Sequence, residues 1–238
     1  MKTSYFTLLL MLSVTLNAVY AQKKDNGLSA QEIKQGYQLL FNGKNLEGWT
    51  AVGKSAPPAD RWKVENGELA IDKKENHGGG DLITEKEYEN FDLSVDYKLL
   101  AGGNSGIKYL FTRYKKGGWL GQEYQILDNI NHPDAKNGIN GNRLEGTLYD
   151  VLPLDKKAQN KVGTWNTARV VVKGAEVKHY LNGVEILSYN RDSPKFQEAV
   201  RQSKFKDAVQ FGQAKSGHIL LQDHGDAVAF KNIKIKVL

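Results

Sequence analysis

Residues Glu123 to His132 read E-Y-Q-I-L-D-N-I-N-H, and the first six alternate as a half-buried strand does. Glu123, Gln125 and Leu127 share one face; Tyr124, Ile126 and Asp128 share the other. One side therefore offers an acid and an amide, the other a ring and a branched side chain for a core. Asp128, Asn129, Asn131 and His132 follow as a cluster of hydrogen-bonding groups. A sheet built only for packing needs no such density of polar groups. The stretch predicts one wall of a polar cleft, and the ligand that suits it is a sugar. Glu123 is the candidate acid or base, and Gln125, Asp128 and His132 are candidate binders of hydroxyl groups.

Two further segments carry comparable chemistry. In Gly102 to Thr112, Asn104, Gly106, Lys108 and Leu110 share a face, and Gly106 would let a ligand approach the backbone closely. In L-Q-D-H-G, Gln222 and His224 face one way, while Asp223 points apart from its neighbours and caps the turn. His77 could line the rim from its Gly-rich loop. His179 and His218 sit in strand patterns and read as structural. Trp119 and Tyr149 are candidates for stacking on a sugar face; Trp49, Trp62 and Trp165 read as core. The chain has no cysteine, no Gly-x-Ser-x-Gly elbow and no phosphate-binding loop.

The elements that must position these groups are strands. Trp62 to Asp72 and His179 to Leu187 each contain an Asn-Gly pair, at 66–67 and 182–183, the strongest short signal for a two-residue hairpin. Phe91 to Leu100 alternates cleanly. Val228 to Val237 changes phase at Lys231-Asn232, which predicts a bulge. Ser29 with Glu32 predicts a capped turn of helix ending at Gly36, and Ser193-Pro194 predicts a second helix. About a dozen strands with little helix predict an all-β sandwich of two antiparallel sheets, one curved into a concave cleft.

The 238 residues divide into three stretches. Residues 1–21 read as a secretory signal, with Lys2, an interrupted apolar run and Val19-Tyr20-Ala21 before the cut. Residues 22–35 form a polar leader, and 36–238 a single domain. No other apolar run could span a bilayer, so no membrane anchor is expected. A cysteine-free exported chain fits a periplasmic or extracellular location. The net charge of +6 is mild and scattered. The densest basic group, Lys195, Arg201, Lys204 and Lys206, reads as a solvated helix face, so nucleic acid is not expected as a partner.

Six segments together carry a family resemblance. They are Tyr37 to Trp49, Gly102 to Ile107, Glu123 to Asp128, Gly163 to Asn166, Tyr180 to Val184, and Leu221 to Gly225 with Phe230 to Ile235. In this order they resemble the 3-keto-disaccharide hydrolase family over roughly Gly36 to Leu238. The resemblance implies a concanavalin A-like jelly roll, an exported location and a glycoside-cleaving role on sugars oxidised at C3.

A ketone at C3 acidifies the C2 proton. A base can remove it, an enolate forms, the C1 substituent leaves, and water adds to the unsaturated sugar. That route needs a base, an enolate stabiliser and a proton donor. Glu123 is the candidate base, Lys108 the enolate stabiliser and His224 the further catalytic group. Asn104, Gln125, Asp128, His132, Tyr149 and Gln222 are the candidate substrate binders. A divalent ion would also stabilise an enolate, and Asp128, His132, His224 and Glu123 carry suitable donors, although their spacing matches no closed zinc signature. Two other readings stand beside this one. A conventional glucanase needs a second acid facing Glu123, which its own strand face lacks. A carbohydrate-binding module needs no catalysis.

Overall fold

A computed structural model describes residues 25–58, 60–72, 80–115, 118–157 and 159–238. Residues 1–21 and His77 lie outside the described residues. Along the chain come α1 Ala30–Lys34, β1 Tyr37–Leu39, β2 Trp49–Ala51, β3 Lys63–Glu65, β4 Glu68–Ile71, β5 Leu82–Thr84 and β6 Phe91–Leu99. Then follow β7 Asn104–Tyr114, β8 Gly118–Leu127, β9 Trp165–Lys173, β10 Glu176–Leu181, β11 Val184–Asn190, α2 Pro194–Arg201, β12 His218–Leu221 and β13 Val228–Val237. They form two antiparallel sheets. The larger has the order β11-β10-β9-β6-β13-β4-β3, with β1 on β13, and the smaller has the order β2-β5-β12-β7-β8. This is the expected jelly-roll sandwich.

Local chemistry explains the turns. Asn66 and Gly67 take φ of 52° and 78°, and Asn182 and Gly183 take 50° and 84°. Both residues of each pair are left-handed, as a two-residue hairpin of matching twist requires. The phase change in β13 is a register shift between Lys231 and Lys234, with Asn232 at φ 51°. Ser29 and Glu32 close the expected capping box. The Ser193 hydroxyl accepts from Phe196 N at 3.2 Å to start α2.

The core lies between the sheets. Phe91, Leu93, Val95 and Tyr97 of β6 meet Ile107 and Tyr109 of β7 and Tyr124 and Ile126 of β8, all 1 % exposed or less. Each such side chain contributes roughly 1.5–3 kcal/mol. Trp49 and Trp62 join this core, but Trp165 does not. It lies half-buried, with the Lys98 and Lys231 ammonium groups 4.7 and 4.5 Å from its ring centroid.

His179 is fully buried in the core and structural, as read. Burial pushes it down to about 4, so it is neutral. Its Nδ1–H donates to the Gly146 carbonyl at 2.8 Å. Nε2 therefore accepts from the Tyr109 hydroxyl at 2.7 Å, which in turn lies 2.7 Å from the Tyr189 hydroxyl.

A long connection, residues 128–164, runs from β8 to β9 and covers the free edge of β8. Gly146 N donates to Gln125 O at 2.9 Å, and Tyr149 N to Glu123 O at 3.0 Å. Its anchor is Glu145, fully buried. The carboxyl accepts from Tyr97 OH at 2.6 Å, Leu127 N at 2.5 Å and Asn160 Nδ2 at 3.1 Å. Burial raises its pKa from 4.5 to about 8, and the three donors oppose the shift without cancelling it.

The fold thus favours the protonated acid. The stability this group contributes is complete below the unfolded value of 4.5 and is lost as pH rises through about 8. The slope within that window is at most about 1.4 kcal/mol per pH unit. Glu145→Gln keeps two acceptor contacts on its oxygen and offers its NH2 to the Tyr97 oxygen. Melting curves from pH 5 to 9 are expected to decline for wild type and to flatten in Glu145→Gln. Equal slopes in the two proteins would contradict this account.

Candidate active site

The outward face of the smaller sheet is set by strand register. Leu220 of β12 pairs with Ile83 of β5 and with Lys108 of β7, and Lys108 pairs with Glu123 of β8. These four form one row. In the next row Gly106 pairs with Gln125, and Gln222 N donates to Gly106 O at 2.9 Å. Asp81, one residue before the Leu82–Leu221 pair, enters this row from β5. Asn104, paired with Leu127, begins a third row, and His224 reaches it from the loop after β12.

Glu123 is 6 % exposed. The Lys108 ammonium lies 3.7 Å from its carboxylate, an ion pair too long for a strong hydrogen bond. The carboxylate leans across Gly106, where an added Cβ would fall 2.5 Å from Glu123 Oε1. The open space expected above Gly106 for a ligand is therefore occupied by the acid itself.

Around this pair lie polar atoms that the fold leaves unsatisfied. Asn104 Oδ1, both amide atoms of Gln125, and Gln222 Oε1 are buried without a partner among the described residues. Buried polar atoms are nearly always paired, because an unpaired one costs about 1–3 kcal/mol. Four on one face, beside an acid and a lysine, mark hydrogen-bonding capacity held for a ligand.

The two candidate histidines stand at the end of this face. His224 is exposed, with Nε2 3.5 Å from Asn104 Nδ2, and its ring centroid is 6.3 Å from that of His132. His132 Nδ1 accepts from Asp134 N at 3.2 Å, which leaves its proton on Nε2. Below them Asp223, 3 % exposed, holds the turn. It takes a bidentate ion pair from Arg61 at 2.6 and 2.9 Å and N–H bonds from Gly80 and Gly225. Its capping role is as expected.

Two expected binders are committed elsewhere. Asp128 accepts from Gly102 N, Ile130 N, Asn131 N and Asn131 Nδ2 at 2.7–3.1 Å. Burial works against its charge, yet these bonds outweigh it and hold the carboxyl down at about 2. It closes a turn and has no free lone pair for a sugar. Tyr149 donates its hydroxyl to Asp134 at 2.8 Å, and its ring carries the Lys204 ammonium at 4.1 Å and the Arg143 guanidinium at 5.5 Å. Cations, not a sugar, lie against that ring. Among the described residues no group of three His, Asp or Glu side chains is placed to hold a metal ion. Asp128 is consumed by its turn, and Glu123 is paired with Lys108.

Two residues here went unread in the sequence. Asp81 has its carboxyl raised by burial, partly offset by Lys108, by the N–H of Asp223 and by His224; it accepts from Asp223 N at 2.9 Å. Lys204, read as part of a solvated helix face, is exposed but lies beyond the end of α2, within electrostatic reach of Glu123 and Lys108. A cavity of about 350 Å³ beside Arg191 and Gln197 lies away from this face and contains none of these groups.

A jelly roll with a polar, amide-lined sheet face defines a carbohydrate-active protein. The chain belongs to the family described as the 3-keto-alpha-glucoside-1,2-lyase-like domain, whose model matches residues 36–236. It is 35 % identical over 229 residues to a 3-keto-disaccharide hydrolase of Bacteroides thetaiotaomicron, covering 85 % of this chain and 79 % of that one. A solved structure from Parabacteroides distasonis, a provisional glycosyl hydrolase, superposes with a TM-score of 0.80 at 32 % identity, over 90 % of this chain and all of that one. A second from the same organism gives 0.63 at 27 %, over 85 % and 99 %. The protein is a glycoside-acting hydrolase, and its partner is a carbohydrate.

The position of Asp128 has a measurable consequence. Asp128→Ala orphans up to four donors and is expected to lower stability by about 2–3 kcal/mol at pH 7. The wild-type contribution is present above the unfolded value of 3.8 and is lost as pH falls through about 2. Turnover per folded molecule is expected to stay within about threefold. A large loss of turnover without a drop in melting temperature would place Asp128 in the site after all.

Proposed function

We propose that the protein cleaves 3-keto-glycosides by elimination followed by hydration. The observation that carries this reading is the set of four unpaired buried polar atoms around the Lys108–Glu123 pair. The oxidised sugar lies over this face, with Asn104, Gln125 and Gln222 taking its hydroxyl groups. Glu123 removes the C2 proton. The electron pair moves onto the C3 oxygen as an enolate, which Lys108 stabilises as a fixed positive charge. The pair then returns to form the C1–C2 double bond as the C1–O bond breaks, and the departing oxygen takes a proton from Asp81, whose carboxyl is raised by burial. Water adds across the double bond in the second half. The family's lyase description supports an elimination step, and the relative's hydrolase name fits the net outcome of elimination and hydration. Export through the N-terminal signal belongs to the same proposal.

One feature favours a second reading, a conventional inverting glycosidase. Asp81 supplies the second acid that the Glu123 strand lacks. The Glu123 carboxylate leans over β7, and Asp81 lies two strands away on β5, a separation of about 10 Å. Inverting pairs stand about 6.5–9.5 Å apart and retaining pairs about 5–5.5 Å. Judged by strand spacing, the pair is far from the retaining separation and just beyond the inverting one.

Two measurements separate the readings. In deuterated water, elimination and hydration place solvent deuterium on C2 of the released sugar at early times, ahead of spontaneous exchange. Direct hydrolysis leaves C2 unlabelled. Glu123→Gln is expected to lower kcat on a 3-keto-glucoside by about 10²–10⁴-fold. Cleavage of the unoxidised glucoside at a similar rate, with no label at C2, would select the inverting reading.

A further inference from the structure

The outward sheet face is polar on only one side of the Lys108–Glu123 pair. On the other side Ile83, Phe111 and Leu220 form a separate apolar cluster, 3 %, 6 % and 0 % exposed, with Val52 and Trp119 packed against it. Such residues are unusual on the face that turns away from the core. Along β8 the outward positions run Trp119, Gly121, Glu123, Gln125. Gly121 has no side chain, and Phe111 lies across it: a Cβ there would meet Phe111 Cα at 2.9 Å. The Phe111 and Trp119 rings stack at 5.3 Å with 13° between their planes. Trp119, which also has the His218 ring 5.9 Å from its own, is only partly buried. Phe111, lying across Gly121, is about 7 Å along the strand from Glu123 and Trp119 about 13 Å, and Leu220 adjoins Lys108 in the same row.

Resting on the functional reading above, we propose that this patch is the leaving-group subsite and that it takes an aromatic aglycone, a phenol. The Lys108–Glu123 pair sits on the boundary between the amide-lined half and the aromatic half, where a scissile C1–O bond joining a sugar to a flat apolar group would lie. The polar groups bordering the patch are already satisfied. His218 Nδ1 bonds the Thr84 carbonyl at 2.6 Å, Thr84 Oγ1 donates to Lys86 O at 2.7 Å, and Thr50 Oγ1 donates to Lys54 O at 2.8 Å. Among the described residues these three offer a second sugar no free hydrogen at those atoms, whereas a planar ring finds Trp119. The chemistry agrees. In the elimination the C1–O bond pair leaves on oxygen, and a phenol, with a pKa of about 10, accepts it with far less help from an acid than an alcohol does. The products are the phenol and the unsaturated 3-keto sugar.

Ligand-observed NMR with phenol itself tests the subsite without any turnover. Trp119→Phe keeps a planar ring, and Trp119→Met keeps apolar bulk without one, so both preserve the packing. Phenol is expected to bind wild type and Trp119→Phe, and to bind Trp119→Met about tenfold more weakly. In parallel, the ratio of kcat/KM for phenyl 3-keto-glucoside over the 3-keto form of a glucose disaccharide is expected to fall about tenfold in Trp119→Met. Intrinsic leaving-group reactivity cancels in that comparison. No phenol binding to wild type, equal binding to Trp119→Met, or an unmoved ratio would overturn the proposal. If no 3-keto-glycoside is cleaved, the functional reading fails, and the phenol titration alone decides the subsite.

Discussion

The register of β7 between β12 and β8 is the constraint on which the site depends. A slip of one residue would turn Lys108 into the core and Tyr109 out onto the sheet face. The slip is blocked from both sides. Inside, the Tyr109 hydroxyl is held by His179 and Tyr189 at 2.7 Å each, so displacing it would leave the buried His179 Nε2 without its donor. At the end of the strand, Asp128 accepts Gly102 N at 2.7 Å and donates its own N–H to Gly103 O at 3.1 Å. The phase change at Leu110, with φ of 50°, then lets Phe111 return to the outward face. Lys108 and Phe111 therefore face the same way although three residues apart, and the sheet becomes polar on one side of that point and aromatic on the other.

The same buried network supports the second wall. The carbonyl that His179 holds is that of Gly146, whose N–H bonds the back of Gln125. Glu145, next along the chain, ties Leu127 and Tyr97 together. The connection over residues 128–164 thus closes the edge of β8 and fixes the backbone behind Glu123 and Gln125. From that fixed backbone the Glu123 carboxylate leans over Gly106, and the Gln125 amide has no partner among the described residues. Rigid elements bear the cost of leaving these groups unsatisfied, and pre-organised binding groups require that.

Much of this architecture was legible in the sequence, because it rests on local rules. Asn-Gly pairs need left-handed backbone, alternation needs a half-buried sheet, and a phase change needs a bulge. Lys108, Glu123 and Gln125 could be placed on outward faces by counting. What failed were relations between distant strands. Asp81 stands just before β5, a strand of three residues, too short for periodicity to show. Lys204 reaches the site only because the chain returns there after α2. Glu145 lies in a connection with no pattern. Asp128 is a different failure, since a local signal existed: an Asp followed by N–H groups two and three residues later is a turn motif. A dense polar cluster at a strand end serves the backbone before it serves a ligand.

The division of the outward face also bears on which chemistry the site suits. Paired-carboxylate hydrolysis needs two acids on opposite sides of one bond, and here the bond would lie over Lys108 and Glu123, with Asp81 about 10 Å from the leaning carboxylate. Only one acid stands at the boundary, and its immediate neighbour is a cation. A single base beside a fixed positive charge suits a reaction in which a proton leaves carbon and negative charge grows on a neighbouring oxygen. A ketone next to that carbon creates this situation. The asymmetry of the site, with one acid, one lysine and amides on the sugar side alone, then follows from the asymmetry of the reaction, in which the oxidised ring undergoes the chemistry and the leaving group needs only a proton and a surface to rest on.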